Sequence, residues 1–146
     1  MPTQDADTVL LEIPCAEVYL KVVRLAVAGA GSRADLTVQD IEDLKVAVGE
    51  ACNNVIYHAF DEETMRSGAA KIRITMFIRR GELRVEVEDE GRGFDPSRVP
   101  SPVDSQTASE RMGMGLYLMK QMCDLVRVES APGSGTKVII VKRRSR

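Results

Sequence analysis

Glu50-Ala51-Cys52-Asn53-Asn54-Val55-Ile56-Tyr57-His58-Ala59-Phe60 is the stretch on which the reading of this chain turns. It closes a helical pattern that opens near Val38. At about 100° per residue, Ile41, Leu44, Val48, Ala51, Cys52, Val55 and Ala59 fall on one stripe suited to packing against a sheet. Glu50 points away from that stripe, and Asn54 follows it one turn later on the same side. Their backbones are ~6 Å apart along the axis at a rise of ~1.5 Å per residue. Val46, Ala47 and the small residues beside Glu50 leave room for something to approach. A carboxylate and an amide stacked in this way suit a base beside a metal or phosphate ligand. They also suit an exposed polar pair on an ordinary amphipathic helix, and the helix alone does not separate the two.

Upstream, Val9 to Ile13 alternates as a short strand ended by Pro14, and 16–30 reads as a helix with Val18, Val22, Leu25 and Ala26 at helical spacing. Gly29, Gly31 and Ser32 are expected to close that helix, and Thr37 or Asp35 to cap the next. Downstream, Asp61 to Gly68 is polar and reads as a loop. Lys71 to Arg79 alternates, with Ile72, Ile74, Met76 and Ile78 on one face. After the turn Arg80-Gly81-Glu82, Leu83, Val85 and Val87 alternate with charged residues, completing a hairpin with one buried face. The segment 96–112 carries Pro96, Pro100 and Pro102 without periodicity and reads as a mobile loop or lid. Gly113-Met114-Gly115 leads into a helix over Leu116 to Asp124. Leu125 to Ser130 and Thr136 to Lys142 are two further strands. Helices and antiparallel strands are segregated, which predicts an α+β fold: a mixed, mostly antiparallel sheet with helices on one face.

The 146 residues suit one domain, 1–146, with a sizeable core. With 44% apolar and 29% charged residues the chain has the composition of a soluble globular protein, and a net charge of −2 gives no basic footprint for nucleic acid. The basic end, Lys142, Arg143, Arg144 and Arg146, reads as a frayed, solvated tail. No apolar run is long enough to span a bilayer, and the N-terminus carries Asp5 and Asp7 instead of a basic leader. Cys15, Cys52 and Cys123 are odd in number and widely spaced, which fits neither a disulfide framework nor a zinc site and predicts a reducing, cytoplasmic setting. Cys52 lies on the apolar stripe as a small core residue.

Three glycine-containing loops carry the remaining chemistry. Asp89 ends a buried strand and precedes Gly91 and Gly93, so a fixed carboxylate can meet a ligand amino group while the main chain approaches a flat ring. Gly113-Met114-Gly115, placed before a helix, offers free N–H groups and the positive helix end to an anion. Gly133-Ser134-Gly135-Thr136 reads as a hairpin turn. There is no G-x-x-x-x-G-K-[ST] for a P-loop, no third glycine for a dinucleotide fingerprint, and no H-R-D or D-F-G of a eukaryotic-type protein kinase.

Glu50-x-x-x-Asn54, Asp89-x-Gly91-x-Gly93, Gly113-x-Gly115 and Gly135-Thr136 stand in the order of the boxes of the GHKL ATPases. Within that superfamily, the stretches around Glu50 and around Glu110-Arg111-Met112-Gly113 resemble the bacterial anti-sigma factor serine/threonine-protein kinases of the RsbW type, over nearly the whole chain. The resemblance implies a Bergerat-type ATP-binding α/β sandwich, with Mg2+ and ATP as cofactors. It implies a sigma factor as one partner and an anti-anti-sigma (STAS-type) protein, phosphorylated on serine or threonine, as another, without nucleic acid or membrane. By the same resemblance Glu50 matches the general base and Asn54 the magnesium ligand. Asp89 matches the residue bonded to the adenine amino group, and Gly91 and Gly93 shape the adenine pocket. Gly113, Met114, Gly115 and Leu116 match the phosphate loop, Arg111 lies beside it in the lid, and Thr136 matches the threonine near adenine. Asn53 is assigned no role. A homodimer through the N-terminal strand is implied as well.

Rival readings stay open at this level. A two-component histidine kinase needs a phospho-accepting histidine on a dimerisation helix, whereas the only histidine, His58, sits inside the nucleotide helix. That reading requires the chain to be a fragment. A partner-binding module that uses ATP without phosphotransfer, and a related switch kinase that binds no sigma factor, both fit the same residues.

Overall fold

The computed structural model describes residues 6–98 and 108–146, the side chains of 108–111 excepted. Five strands, β1 (Asp7–Pro14), β2 (Lys71–Arg79), β3 (Glu82–Asp89), β4 (Leu125–Ser130) and β5 (Thr136–Arg143), form one sheet in the order β1-β2-β3-β5-β4. All four pairings are antiparallel, so the parallel component allowed for in the sequence reading is not found among the described residues. Alternation aims Ile72, Ile74, Met76, Leu83, Val85, Val87, Val138 and Ile140 into one buried layer, where helices meet the sheet. On the opposite face Glu86 is buried against Lys137 and accepts from Arg84 at 2.8 Å, Arg84 lies over the Phe77 ring, and Ile139 and Val141, register partners of Glu86 and Arg84, are buried beside them.

The helices are α1 (Leu20–Arg33), α2 (Val38–His58), α3 (Glu62–Ser67) and α4 (Ala108–Met122). The α2 stripe is as expected: Leu44, Val48, Ala51, Cys52 and Val55 are buried. Its start is a capping box in which Thr37 and Asp40 satisfy each other's backbone N–H. Asp35 does not cap; it takes a left-handed φ of 63° and pairs with Arg144.

Several local expectations are corrected. In α1 the buried residues are Leu20, Val23, Val27 and Ala30, whereas Val18 just ahead of the helix and Val22 and Leu25 within it are exposed. Apolar residues occupy both sides of this helix, so periodicity fits two faces and only the sheet selects one. Gly29, Gly31 and Ser32 do not end α1, which runs on to Arg33; Gly31 instead lies where Ile41 of α2 comes close. The segment 61–68 is not all loop: Asp61 caps α3 by accepting from Thr64 N–H, and Gly68 closes it in a left-handed conformation.

Gly113, Met114 and Gly115 lie inside α4 instead of ahead of it, so their N–H groups belong to a helix that begins at Ala108. Two mid-helix glycines cost about 1 kcal/mol each against alanine. The packing of α4 on α2 offsets this, because Gly115 fits against Glu50 and Asn54.

The basic tail is pinned, not frayed. Arg144 N–H donates to Gly81 O and its guanidinium to Asp35, and Ser145 N–H donates to Asp40 at 3.0 Å. Lys142 donates to Met122 O at 2.7 Å and pairs with Asp43. These bonds tie the end of β5 to the start of α2.

Candidate functional site

Part of the set singled out by sequence meets in one cleft between α2, α4 and the ends of β3 and β5. Its volume is about 380 Å3, within the usual range for small-molecule sites. Asn54, Asp89, Gly93, Leu116 and Thr136 all line it. Cross-strand alternation supplies its apolar floor, since Val87 and Val138 are register partners and both face inward. Ala51 and Val55 extend that floor along α2.

Asp89 is buried, and its Oδ1 accepts from Gly91 N–H at 2.8 Å. Burial pushes its carboxyl above the ordinary range, the Gly91 N–H partly counters this, and neighbouring Glu88 adds to the rise. Thr136 is its register partner on β5, so the two side chains sit side by side at the cleft base. Two glycines let the chain close around them. At Gly135, φ is 69° and a Cβ would stand 2.3 Å from Asp89 O; at Gly93, φ is 64° and a Cβ would stand 2.1 Å from Ala131 O. No other residue can hold those positions without moving backbone.

Glu50 is half-buried one turn before Asn54. Gly115 of α4 lies against both: a Cβ there would meet Glu50 Oε2 at 3.1 Å and Asn54 at 3.6 Å. The room beside Glu50 is therefore taken up by α4, not open to solvent. Glu50, Gly113, Met114 and Gly115 do not line the cleft. Gly91 does not line it either. It packs under Ala59 O at the end of α2, where Arg92 N–H also donates to Ala59 O at 2.8 Å. The Arg111 side chain and residues 99–107 of the expected lid lie outside the described residues; Pro96–Arg98 forms a short 3-10 turn.

Sequence reasoning missed Arg92, Phe94, Asp95, Arg98, His58, Met112 and Pro132, which line the cleft as well, as does Ala59 of the α2 stripe. It also missed Ser130, whose hydroxyl joins Phe94, Gly135 and Thr136. A serine at a strand end carries no signal until the hairpin closes on it.

Among the described residues no cluster of three or more His, Cys, Asp or Glu side chains could hold a metal ion, and no helix is long and apolar enough to cross a membrane. The cleft thus combines an apolar floor with the Asp89 carboxylate, the Thr136 hydroxyl and the Asn54 amide, and Arg92, Asp95 and Arg98 also line it. A family model described as the histidine kinase-like ATPase domain matches residues 13–142.

The chain belongs to the histidine kinase-like ATPase family.

Among its relatives within this family, a protein of Bacillus subtilis (strain 168) named serine-protein kinase RsbW is 37% identical over 135 residues, covering 88% of this chain and 82% of that protein. A protein of Clostridium acetobutylicum named anti-sigma F factor is 36% identical over 122 residues, covering 82% of each chain. The solved structure of the RsbU and RsbW domains of Rv1364c from Mycobacterium tuberculosis superposes with a TM-score of 0.67 at 18% identity, over 96% of this chain and 32% of that one. That likeness concerns the histidine kinase-like ATPase fold alone.

Proposed function

We propose that this histidine kinase-like ATPase is an anti-sigma factor and serine kinase, which binds a sigma factor and uses Mg-ATP to phosphorylate a serine or threonine of an anti-anti-sigma, STAS-type protein. The observation that carries this reading is the convergence of Asn54, Asp89, Gly93 and Thr136 on one cleft, with Glu50 one turn from Asn54. The names of the relatives at 36–37% identity point the same way.

The residues fit the chemistry. Asp89 accepts from the exocyclic amino group of adenine, and Val87, Val138 and Val55 cover the ring faces. The residues also fit magnesium, which takes one or two protein oxygens and keeps water and phosphate for the rest; the Asn54 amide oxygen would be that ligand. When bound there, magnesium would supply positive charge to offset that of the phosphates. Glu50 accepts the proton of the incoming hydroxyl. Arg111 and the stretch 113–116 hold the phosphates, which requires the first turns of α4 to open so that the N–H groups are released.

Glu50→Gln preserves shape and removes the base. The chain should then keep its ATP affinity and its sigma-factor binding, while phosphorylation of the STAS-type protein drops about a hundredfold or more. Asn54→Ala should lose magnesium-dependent ATP affinity and both activities with it. Radiolabel transfer from ATP, read beside calorimetry on the same preparations, checks this. Wild-type transfer by Glu50→Gln would remove Glu50 from the mechanism.

A further inference from the structure

Ser130 ends β4 and carries one hydroxyl with three partners. Phe94 N–H donates to its Oγ at 3.0 Å, Gly135 O stands at 2.9 Å, and Thr136 Oγ1 stands at 2.8 Å. A hydroxyl has one proton and two lone pairs. The Gly135 carbonyl can only accept, so the Ser130 proton goes to it. Both lone pairs are then left for protons arriving from Phe94 N–H and from Thr136 Oγ1. Thr136 is the donor in that pair, with its own proton turned towards Ser130, and it keeps only lone pairs for the cleft it lines. Its register partner Asp89 lines the same cleft, and an ionised carboxylate likewise only accepts.

We propose that Ser130 is a positioning residue that sets base specificity: by fixing the hydrogen-bond polarity of Thr136, it makes Asp89 and Thr136 together present two acceptors and no donor to the edge of the bound base. This inference rests on reading the cleft as an ATP site. The amino group of adenine carries two N–H bonds and matches the pair. A purine with a keto oxygen at that position sets lone pairs against lone pairs, and buried polar groups left unpaired are what make such sites discriminate. The preferred nucleotide class is therefore the 6-aminopurines, and 6-oxopurines are rejected.

Ser130 also ties the loop after β3 to the β4–β5 hairpin, so a loss of affinity alone would not identify its role. The ratio does. Wild type and Ser130→Ala are titrated by calorimetry with ATP and with ITP, each with magnesium. In Ser130→Ala the Thr136 proton is released to turn into the cleft, where it can donate to a keto oxygen. Wild type should favour ATP over ITP by about a hundredfold or more. Ser130→Ala should narrow that ratio by about tenfold or more, whatever the loss common to both nucleotides. Ser130→Thr, which keeps the hydroxyl, should restore it. If Ser130→Ala weakens ATP and ITP by the same factor, Ser130 is only a loop anchor and the proposal is overturned. Should Ser130→Ala fail to fold, Thr136→Val takes its place. It removes the acceptor beside Asp89 and leaves the Ser130 bonds to Phe94 and Gly135, so a narrowed ratio supports the proposal and an unchanged one overturns it. A wild-type chain that binds neither nucleotide overturns the ATP reading of the cleft itself. One that binds ATP and ITP alike leaves that reading standing and overturns the role of Ser130.

Discussion

Asp89 joins a stability cost to the binding role proposed for it. Its carboxyl is pushed up chiefly by burial, with Glu88 adding and Gly91 N–H opposing. A raised folded-state value means that ionising Asp89 costs stability as pH rises through that range. Asp89→Asn should therefore raise the melting temperature of the free chain at neutral pH. The same change should weaken ATP about tenfold to a hundredfold, since a hydrogen bond to a charged group contributes about 1.5–3 kcal/mol. In the unmutated chain ATP affinity should begin to fall, on acidification, at a higher pH than an ordinary aspartate would give, because the protonated group stops accepting. Calorimetry across pH 4–8 beside thermal melts checks all three; a lower melting temperature for Asp89→Asn would refute that cost. A strand-end Asp before two spaced glycines singled this residue out in the sequence, and the structure places it in the lining of the cleft. Ser130 was not legible, because its partners lie in the β4–β5 hairpin and in the loop after β3, and only folding brings that loop to the hairpin.

At the scale of elements, α2 was the most readable part of the chain, because a long run with one apolar stripe and a capping residue has one good solution. What the pattern left out is the tertiary support of its start. Burial pushes the Asp40 carboxyl up, but hydrogen bonds from Ser145 and Thr37 outweigh burial and hold it at about 2, against an ordinary 3.8. A depressed value contributes stability that is present above the ordinary range and is lost as pH falls towards 2. Asp40→Asn should cost about 1–2 kcal/mol at pH 7, and the gap to wild type should close between about pH 4 and pH 2. Urea melts at three pH values measure it, and a gap independent of pH would detach the effect from the carboxylate. For α1 and α4 the pattern was ambiguous or misleading. Apolar residues on both sides of α1 let two faces compete, and the two glycines read as a loop are carried into α4 by its packing on α2.

Over the whole molecule, the sheet order β1-β2-β3-β5-β4 sets β3 beside β5 and so places Asp89 opposite Thr136, 47 positions apart in the chain and adjacent in space. If the cleft binds Mg-ATP, the nucleotide stabilises the folded chain by mass action, by about 2.7 kcal/mol at a hundred times its dissociation constant. In a chain of this size that is a rise in melting temperature of about 5–10 °C. Differential scanning fluorimetry should show the rise for wild type and a smaller one for Asp89→Asn at the same concentration; no shift for either would argue against the cleft as the nucleotide site. The sequence by itself determined the α+β class, the two hairpins, the α2 stripe, and the identity and order of the boxes around Glu50, Asp89, Gly113 and Thr136. These are local matters of period, turn chemistry and spacing. Only the tertiary structure decided which side of α1 is buried, that Gly115 lies in a helix against Glu50, that the basic tail is bonded to Asp40 at the start of α2, and that Phe94 N–H meets Ser130. Each of those depends on contacts between residues far apart in the chain, and their energies exist only once the sheet and helices have closed on one another.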